Sequence, residues 1–346
     1  MTAADTIITL ELGHYRLREQ IAGSAYGVVW RASGPRNTRD VALKLINQEQ
    51  MARALPPQRE RWIASAANEI AFLQSLEPWD ERHIVRLLDS GWHDGLPVLA
   101  LELMATDLGK HVAAVGARGD RLPFPHILDW IGQINQALAK VHQYGWRYLD
   151  LKPANLLFDA QLNTVKLADF GTNRLLGEVH AHSYAGTANW QAPEQFFGAA
   201  DGYQTGARSD YFSLGAIFYF LVTGGQPLRF CNDCGAAYRE HHTGGAAILR
   251  QANNGAIPAS LHADEEARFV ERIAATDPQA CDAALALLRA LLDTDPARRP
   301  CHAIQISRML ASACDALDRR HGSLPELVRG IGRPTAGNGW NQLRGR

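Results

Sequence analysis

The sequence is short of several things, and each shortage removes a class of protein. It has no long hydrophobic run. The longest apolar stretch, Phe212 to Val222, is about half of what a membrane-spanning helix needs. It reads as a buried helix, and no membrane contact is expected. Five cysteines are too few and too scattered for a disulfide scaffold. Neither sign of charge is in excess: 35 Lys and Arg against 36 Asp and Glu leave a net charge of −1. A dedicated nucleic-acid binder would carry a basic domain, and an acidic disordered chain would carry a large net charge. Met1 to Leu12 holds Asp5 and Glu11 and no Arg-flanked apolar core, so no signal peptide is expected and the chain is placed in the cytoplasm. No repeat of fixed period is present. What remains is ordinary globular composition, 46% apolar and 21% charged, in a chain long enough for about two domains.

The first hundred residues read as strands. Tyr15 to Ile21 alternates and meets a small-residue turn, Ala22 to Gly27. Val28 to Ala32 and Val41 to Ile46 follow as short strands, the second nearly all apolar with Lys44 inside it. Ile63, Ala66, Ala67, Ile70, Leu73 and Leu76 recur at helical spacing across 58–76. Ile84 to Leu88 and Pro97 to Leu103 read as two more strands. Beyond Met104 helical patterns dominate, over Ile127 to Tyr144, Arg208 to Thr223, Gln279 to Leu292 and Ile304 to Arg319. The expectation is a two-lobe α+β chain. Residues 1–104 form a strand-rich lobe, 105–318 a helical lobe and 319–346 a polar tail, with a Cys-containing insertion at about 225–258.

The chemistry is concentrated in three short runs. These are Tyr148-Leu-Asp150-Leu-Lys152-Pro-Ala-Asn155, then Asp169-Phe-Gly171, then Ala192-Pro-Glu194. Phosphoryl transfer asks a protein for positioning, metal ions and charge neutralisation. One Asp can take the proton of an incoming hydroxyl, and an Asn with a second Asp can hold Mg²⁺, a hard cation that prefers oxygen. Lys44 and Lys152 can neutralise phosphate charge. Each run alone is a common loop pattern; their order and context together are specific.

On these runs the chain resembles the Ser/Thr protein kinase family, in its bacterial (eukaryotic-like) form, over residues 15 to about 315. The resemblance implies the two-lobe kinase fold, ATP with Mg²⁺ (or Mn²⁺), a protein substrate and no nucleic acid. It implies that Ala22, Gly23, Ser24 and Gly27 cover the nucleotide phosphates, and that Val29, Ala42, Leu101 and Leu157 enclose adenine. Glu102 to Met104 would form the hinge. Lys44 would bind the phosphates, with Glu69 as its helical partner. Asp150 would be the catalytic base, with Lys152 near the γ-phosphate and Asn155 and Asp169 as metal ligands. Thr187 would bond Asp150 and Lys152 and mark Ser/Thr specificity. Glu194 with Arg299 would brace the large lobe. Asp210 would hold the catalytic loop, and Leu73, Leu87, Tyr148 and Phe170 would stack as a spine.

Three features depart from the family pattern. Ala22 and Ser24 stand where the family has glycines, each adding a Cβ near the nucleotide, which predicts weaker nucleotide binding. Leu149 stands where regulated kinases have an arginine that meets a segment phosphate, so segment phosphorylation is not expected to be needed. Ser183 is the favoured autophosphorylation site on a segment that also holds His180, His182 and Tyr184. Phe230-Cys231-Asn-Asp-Cys234-Gly235, followed by His241-His242, has the form of half a zinc knuckle. Cys231 and Cys234 are therefore a possible zinc pair, with free thiols in an insertion and a redox-active disulfide as the other readings. Trp62, Trp79 and Trp92 are read as packing residues. Two other functions stay open: a nucleotide-binding pseudokinase acting as a scaffold, and a kinase-fold small-molecule phosphotransferase. The activating signal is expected from a regulatory partner protein, a ligand or the Cys231 insertion.

Overall fold

The computed structural model describes residues 6–24, 27–35, 39–177, 186–198 and 202–318. His180, His182, Ser183, Tyr184 and the tail 319–346 lie outside them.

The first region is a six-stranded antiparallel sheet in the order β1-β2-β3-β4-β6-β5. The strands are β1 (Ile7–Thr9), β2 (His14–Gly23), β3 (Gly27–Ser33), β4 (Asp40–Ile46), β5 (Leu87–His93) and β6 (Leu96–Glu102). Strand parity explains the lone lysine of β4. Val41, Leu43 and Leu45 face one side and pack with Leu17, Ala32, Val98 and Ala100. Side chains alternate between faces, so Ala42 and Lys44 turn to the other side. There Ala42 joins the main core, and Lys44 meets α2 (Pro56–Ser75), which follows the short α1 (Gln48–Arg53). In register, β6 sets Leu99 opposite Lys44 and Leu101 opposite Ala42. β3 sets Val29 opposite Lys44. Helix α2 opens on prolines in its first turn, where a missing N–H costs nothing. It buries Glu69, Phe72 and Leu73, one face at spacings of three and four.

The second region is helical. After β7 (Thr106–Asp107) come α3 (Leu108–Ala117), capped by the Asp107 side chain, and α4 (Phe124–Gln143). β8 (Trp146–Arg147), β9 (Leu156–Asp159), β10 (Thr164–Leu167) and β11 (Arg174–Leu175) make small antiparallel pairs. Next are α5 (Pro193–Phe196), α6 (Ala207–Val222), α7 (Arg229–His241), α8 (Gly245–Ala252), α9 (Ala263–Ala274), α10 (Cys281–Leu291) and α11 (Ala303–Asp318). The Phe212 to Val222 run lies in α6, which is buried over almost its whole length. It is a core helix, and no helix among the described residues is long and apolar enough to cross a membrane.

Three sequence expectations need correction. Cys231 and Cys234 sit within α7, not in a turn, and both belong to the main hydrophobic core. The stretch at 225–258 is thus part of the large region's packing, carried by α7 and α8. Trp79 and Trp92 are 73% and 61% exposed, so neither is a packing residue. The strand expected at Ile84 begins at Leu87; Ile84 instead forms a single parallel bridge to Leu167.

Candidate active site

Two loops meet because one hairpin ties their ends together. β9 and β10 pair with Leu156 opposite Leu167. The residues just outside that pair, Asn155 and Ala168, continue the contact through an Ala168 N–H to Asn155 carbonyl bond of 2.9 Å. The loop between β8 and β9 carries Asp150, Lys152 and Asn155, and the segment after β10 carries Asp169.

Asp150 is 6% exposed and fully engaged. The Thr187 hydroxyl donates to its Oδ1 at 2.6 Å. Lys152 Nζ donates to its Oδ2 at 2.7 Å and to Thr187 Oγ1 at 2.9 Å. Asn155 Nδ2 donates to the Asp150 carbonyl at 2.9 Å and to Oδ2 at 3.1 Å. Burial nevertheless pushes the Asp150 carboxyl above its ordinary value, against the pull of Lys152. The backbone of this loop is held from below. Asp210, on α6, accepts from Tyr148 N–H at 2.8 Å and Leu149 N–H at 2.7 Å. Leu149 has φ of +69°, a strained conformation for a residue with a Cβ. Its carbonyl accepts from Gln195 Nε2 at 3.0 Å. Gly186, at φ +97°, passes so close that an added Cβ would lie 2.4 Å from that same oxygen, so only glycine fits there.

From β4, Lys44 Nζ donates to Glu69 Oε2 at 2.6 Å and to Asp169 Oδ1 at 2.7 Å. Glu69 also accepts from Phe170 N–H at 3.2 Å. Burial opposes the lysine's charge, but the Asp169 and Glu69 carboxylates outweigh it and hold Lys44 protonated well above its ordinary range. Lys44 in turn holds the Asp169 carboxyl below the usual carboxylate value. Glu69 is buried at 1% exposure, whereas the Asp169 side chain is 47% exposed, so Asp169 presents charge to the cleft. The aromatic stack beside it runs Phe72 to Phe170 at 4.6 Å and Phe170 to Tyr148 at 5.3 Å. The ring on Phe170 from α2 is therefore Phe72.

The Asn155 and Asp169 pair fits a hard divalent cation. Asp169 is exposed, and the Asn155 nitrogen is committed to the loop, which leaves an amide oxygen to give. Nothing among the described residues supports zinc at Cys231 and Cys234. Both thiols are buried in the hydrophobic core of α7's packing. No cluster of three or more His, Cys, Asp or Glu suited to a metal lies among the described residues. The glycine of that motif has another purpose. A Cβ on Gly235 would lie 2.1 Å from Asn189 Oδ1, so glycine lets α7 press on the turn Ala188–Trp190.

Residues 15–311 match the profile of the protein kinase domain. The chain belongs to the protein kinase family. It is 33% identical over 222 residues to cyclin-dependent kinase B2-1 of Oryza sativa subsp. japonica, a match covering 62% of this chain and 64% of that relative. The match thus spans less than two thirds of the relative's own length.

The remaining expected residues of this kinase chain fall as follows. Ala22 and Gly23 lie on β2 opposite Val29 and Val28 of β3. The Ser24 hydroxyl accepts from Gly27 N–H at 3.1 Å and lies 3.3 Å from the Gly27 carbonyl. It closes the turn on itself. Leu157 alternates with buried Leu156 and Phe158 and so faces the other way. The Glu102 carboxylate accepts from Lys166 Nζ at 2.6 Å and Arg86 N–H at 2.9 Å, which ties the end of β6 to β10 just before Met104. Glu194 and Arg299 form a paired bond at 2.8 and 2.9 Å.

Sequence reasoning missed three positioning residues. Ser65 Oγ donates to the Gly171 carbonyl at 2.5 Å; its place one turn before Glu69 was the available signal. His142 lies 2.8 Å from Asp210 and Gln195 holds Leu149, and neither spacing carried a signal.

Proposed function

We propose that this chain is an active protein serine/threonine kinase, transferring the γ-phosphate of ATP to Ser or Thr hydroxyls of proteins. The observation that carries the reading is the arrangement at Asp150. A buried carboxylate is oriented by Thr187, Lys152 and Asn155, and it lies near enough to Asp169, the partner of Lys44, to feel its charge. Asp150 accepts the proton of the incoming hydroxyl as its oxygen forms a bond to the γ-phosphorus and the bond to the ADP oxygen breaks. Lys44 and Lys152 neutralise phosphate oxygens, and Glu69 keeps Lys44 in place. Asn155 and Asp169 would hold Mg²⁺, which would supply positive charge to offset that of the phosphates. Ala22, Gly23, Ser24, Gly27 and Val29 would cover the nucleotide, with Ala42, Leu101, Leu157 and the 102–104 backbone around adenine.

The positions of Leu149 and Asp150 support activity without segment phosphorylation, because Asp210 and Gln195 organise the loop with no arginine at 149. Autophosphorylation, a regulatory partner and the bacterial branch of the family belong to the same proposal. Incubation with γ-labelled ATP and Mg²⁺, followed by mapping of label, tests it. Label on Ser or Thr of protein is expected. Label confined to a small molecule would favour the phosphotransferase reading. Nucleotide binding without transfer would favour a pseudokinase.

A further inference from the structure

A cavity of about 360 Å³ opens between the C-terminal ends of α3 and α6, the start of α4, and α9. Its floor is apolar: Val112, Val115, Phe124, Ile127, Leu221 and Ile273. Its rim is basic. Arg121 and Arg272 border both this cavity and a second hollow beside it that also takes Arg268. The carboxylates on the rim are Asp120 and Glu271. Asp120 is 3.1 Å from Arg118, while Arg268 bonds Tyr219 and lies 3.9 Å from Asp264. Among the described residues Arg121 and Arg272 have no ion-pair partner.

The cavity is continuous with the catalytic centre through packed groups. A Cβ on Gly225 would lie 3.3 Å from Val112 and 3.8 Å from Phe220. The Phe220 ring is 5.4 Å from Trp190, and the Trp190 N–H donates to the carbonyl of Thr187, whose hydroxyl holds Asp150. The unpaired arginines over an apolar floor fit an occupant that joins an apolar group to acidic ones.

We infer that this cavity is a docking site for a segment of the protein substrate that carries an apolar side chain flanked by acidic residues. The inference rests on the kinase reading for the identity of the occupant, but its test does not depend on catalysis. The probe is a fluorescein-labelled peptide with Leu-Phe flanked by aspartates and no hydroxyl residue, titrated with the full chain by fluorescence anisotropy. Its control has lysines in place of the aspartates. The acidic peptide should bind about tenfold more tightly than the basic one, more so at low salt. The preference should persist with Asp150→Asn and with the nucleotide cleft saturated, so a catalytic failure leaves it standing. The double variant Arg121→Glu, Arg272→Glu should remove the preference. Gly116→Phe should block binding of the acidic peptide: Gly116 borders the cavity and an added Cβ there meets nothing within 4 Å. Equal binding of the two peptides, no binding of the acidic one, or binding that survives both variants overturns the inference.

Discussion

Two buried clusters of charge in this kinase differ in how completely they are closed. At Glu194 and Arg299 every arm is occupied. The carboxylate takes both guanidinium nitrogens and the Ser209 hydroxyl, and Arg299 also donates to the carbonyls of Asp293 and Arg208. The Arg299 side chain is 0% exposed. At Lys44, Glu69 and Asp169 one cation serves two carboxylates, and one of those is nearly half exposed. The first cluster is closed and has nothing left to offer a ligand. The second carries unbalanced negative charge, which a bound cation would balance. Incomplete satisfaction, not burial or charge by itself, separates a site from a brace.

The sharpest contrast comes from removing one group from each cluster. Asp150→Asn or Asp169→Asn should lower turnover by about a thousandfold or more while leaving the thermal midpoint little changed. Arg299→Ala should do the opposite. It leaves the part-buried Glu194 carboxylate with only the Ser209 hydroxyl, at a cost of about 3–5 kcal/mol, seen as a large drop in the denaturation midpoint. If Arg299→Ala melted normally, the distinction between brace and site would fail.

The pH dependence follows with its sign fixed. Asp150 must be unprotonated to accept a proton, and burial holds its pKa above the ordinary value. The rate should therefore fall on acidification at a higher pH than an ordinary carboxylate would give. Asp169 is held low by Lys44 and contributes nothing to that limb. Its ion pair supports stability above the ordinary carboxylate range and loses it only as pH falls through the lowered value. Thr187→Val removes a donor to the Asp150 carboxylate. The acid limb of the rate profile should shift upward, with turnover reduced about tenfold.

The smallest expected effect is at the nucleotide turn. The Cβ atoms of Ala22 and Ser24 predict weaker binding, and Ser24→Gly would relieve one of them. The Ser24 hydroxyl, however, clasps Gly27 rather than pointing free, so the glycine also loses a turn-closing bond. The net change in ATP affinity by calorimetry should stay within about threefold. A gain of two orders of magnitude would show that the serine blocks the site sterically.

The strands and helices were legible in the sequence because they depend on short periods, whereas the pairing of Lys44 with Glu69 was legible only through the resemblance to the kinase family; the structure adds the parity of β4 and the buried face of α2 that bring the two together. The same local logic misled at Cys231 and Cys234. A Cys-x-x-Cys-Gly run reads as a turn, but the glycine answers to Asn189, a contact made only when α7 packs on the Ala188–Trp190 turn. His142 and Gln195 were invisible for the same reason: each acts through a partner more than forty positions away. Side chains committed to tertiary partners leave no periodic trace.

The most direct test is a single-turnover measurement of phosphoryl transfer from γ-labelled ATP, at equal bound nucleotide, for the natural chain and Asp150→Asn. The account predicts that the natural chain labels serine or threonine and that the variant, with nucleotide still bound, does not. Equal transfer by both, or none by the natural chain, would contradict it.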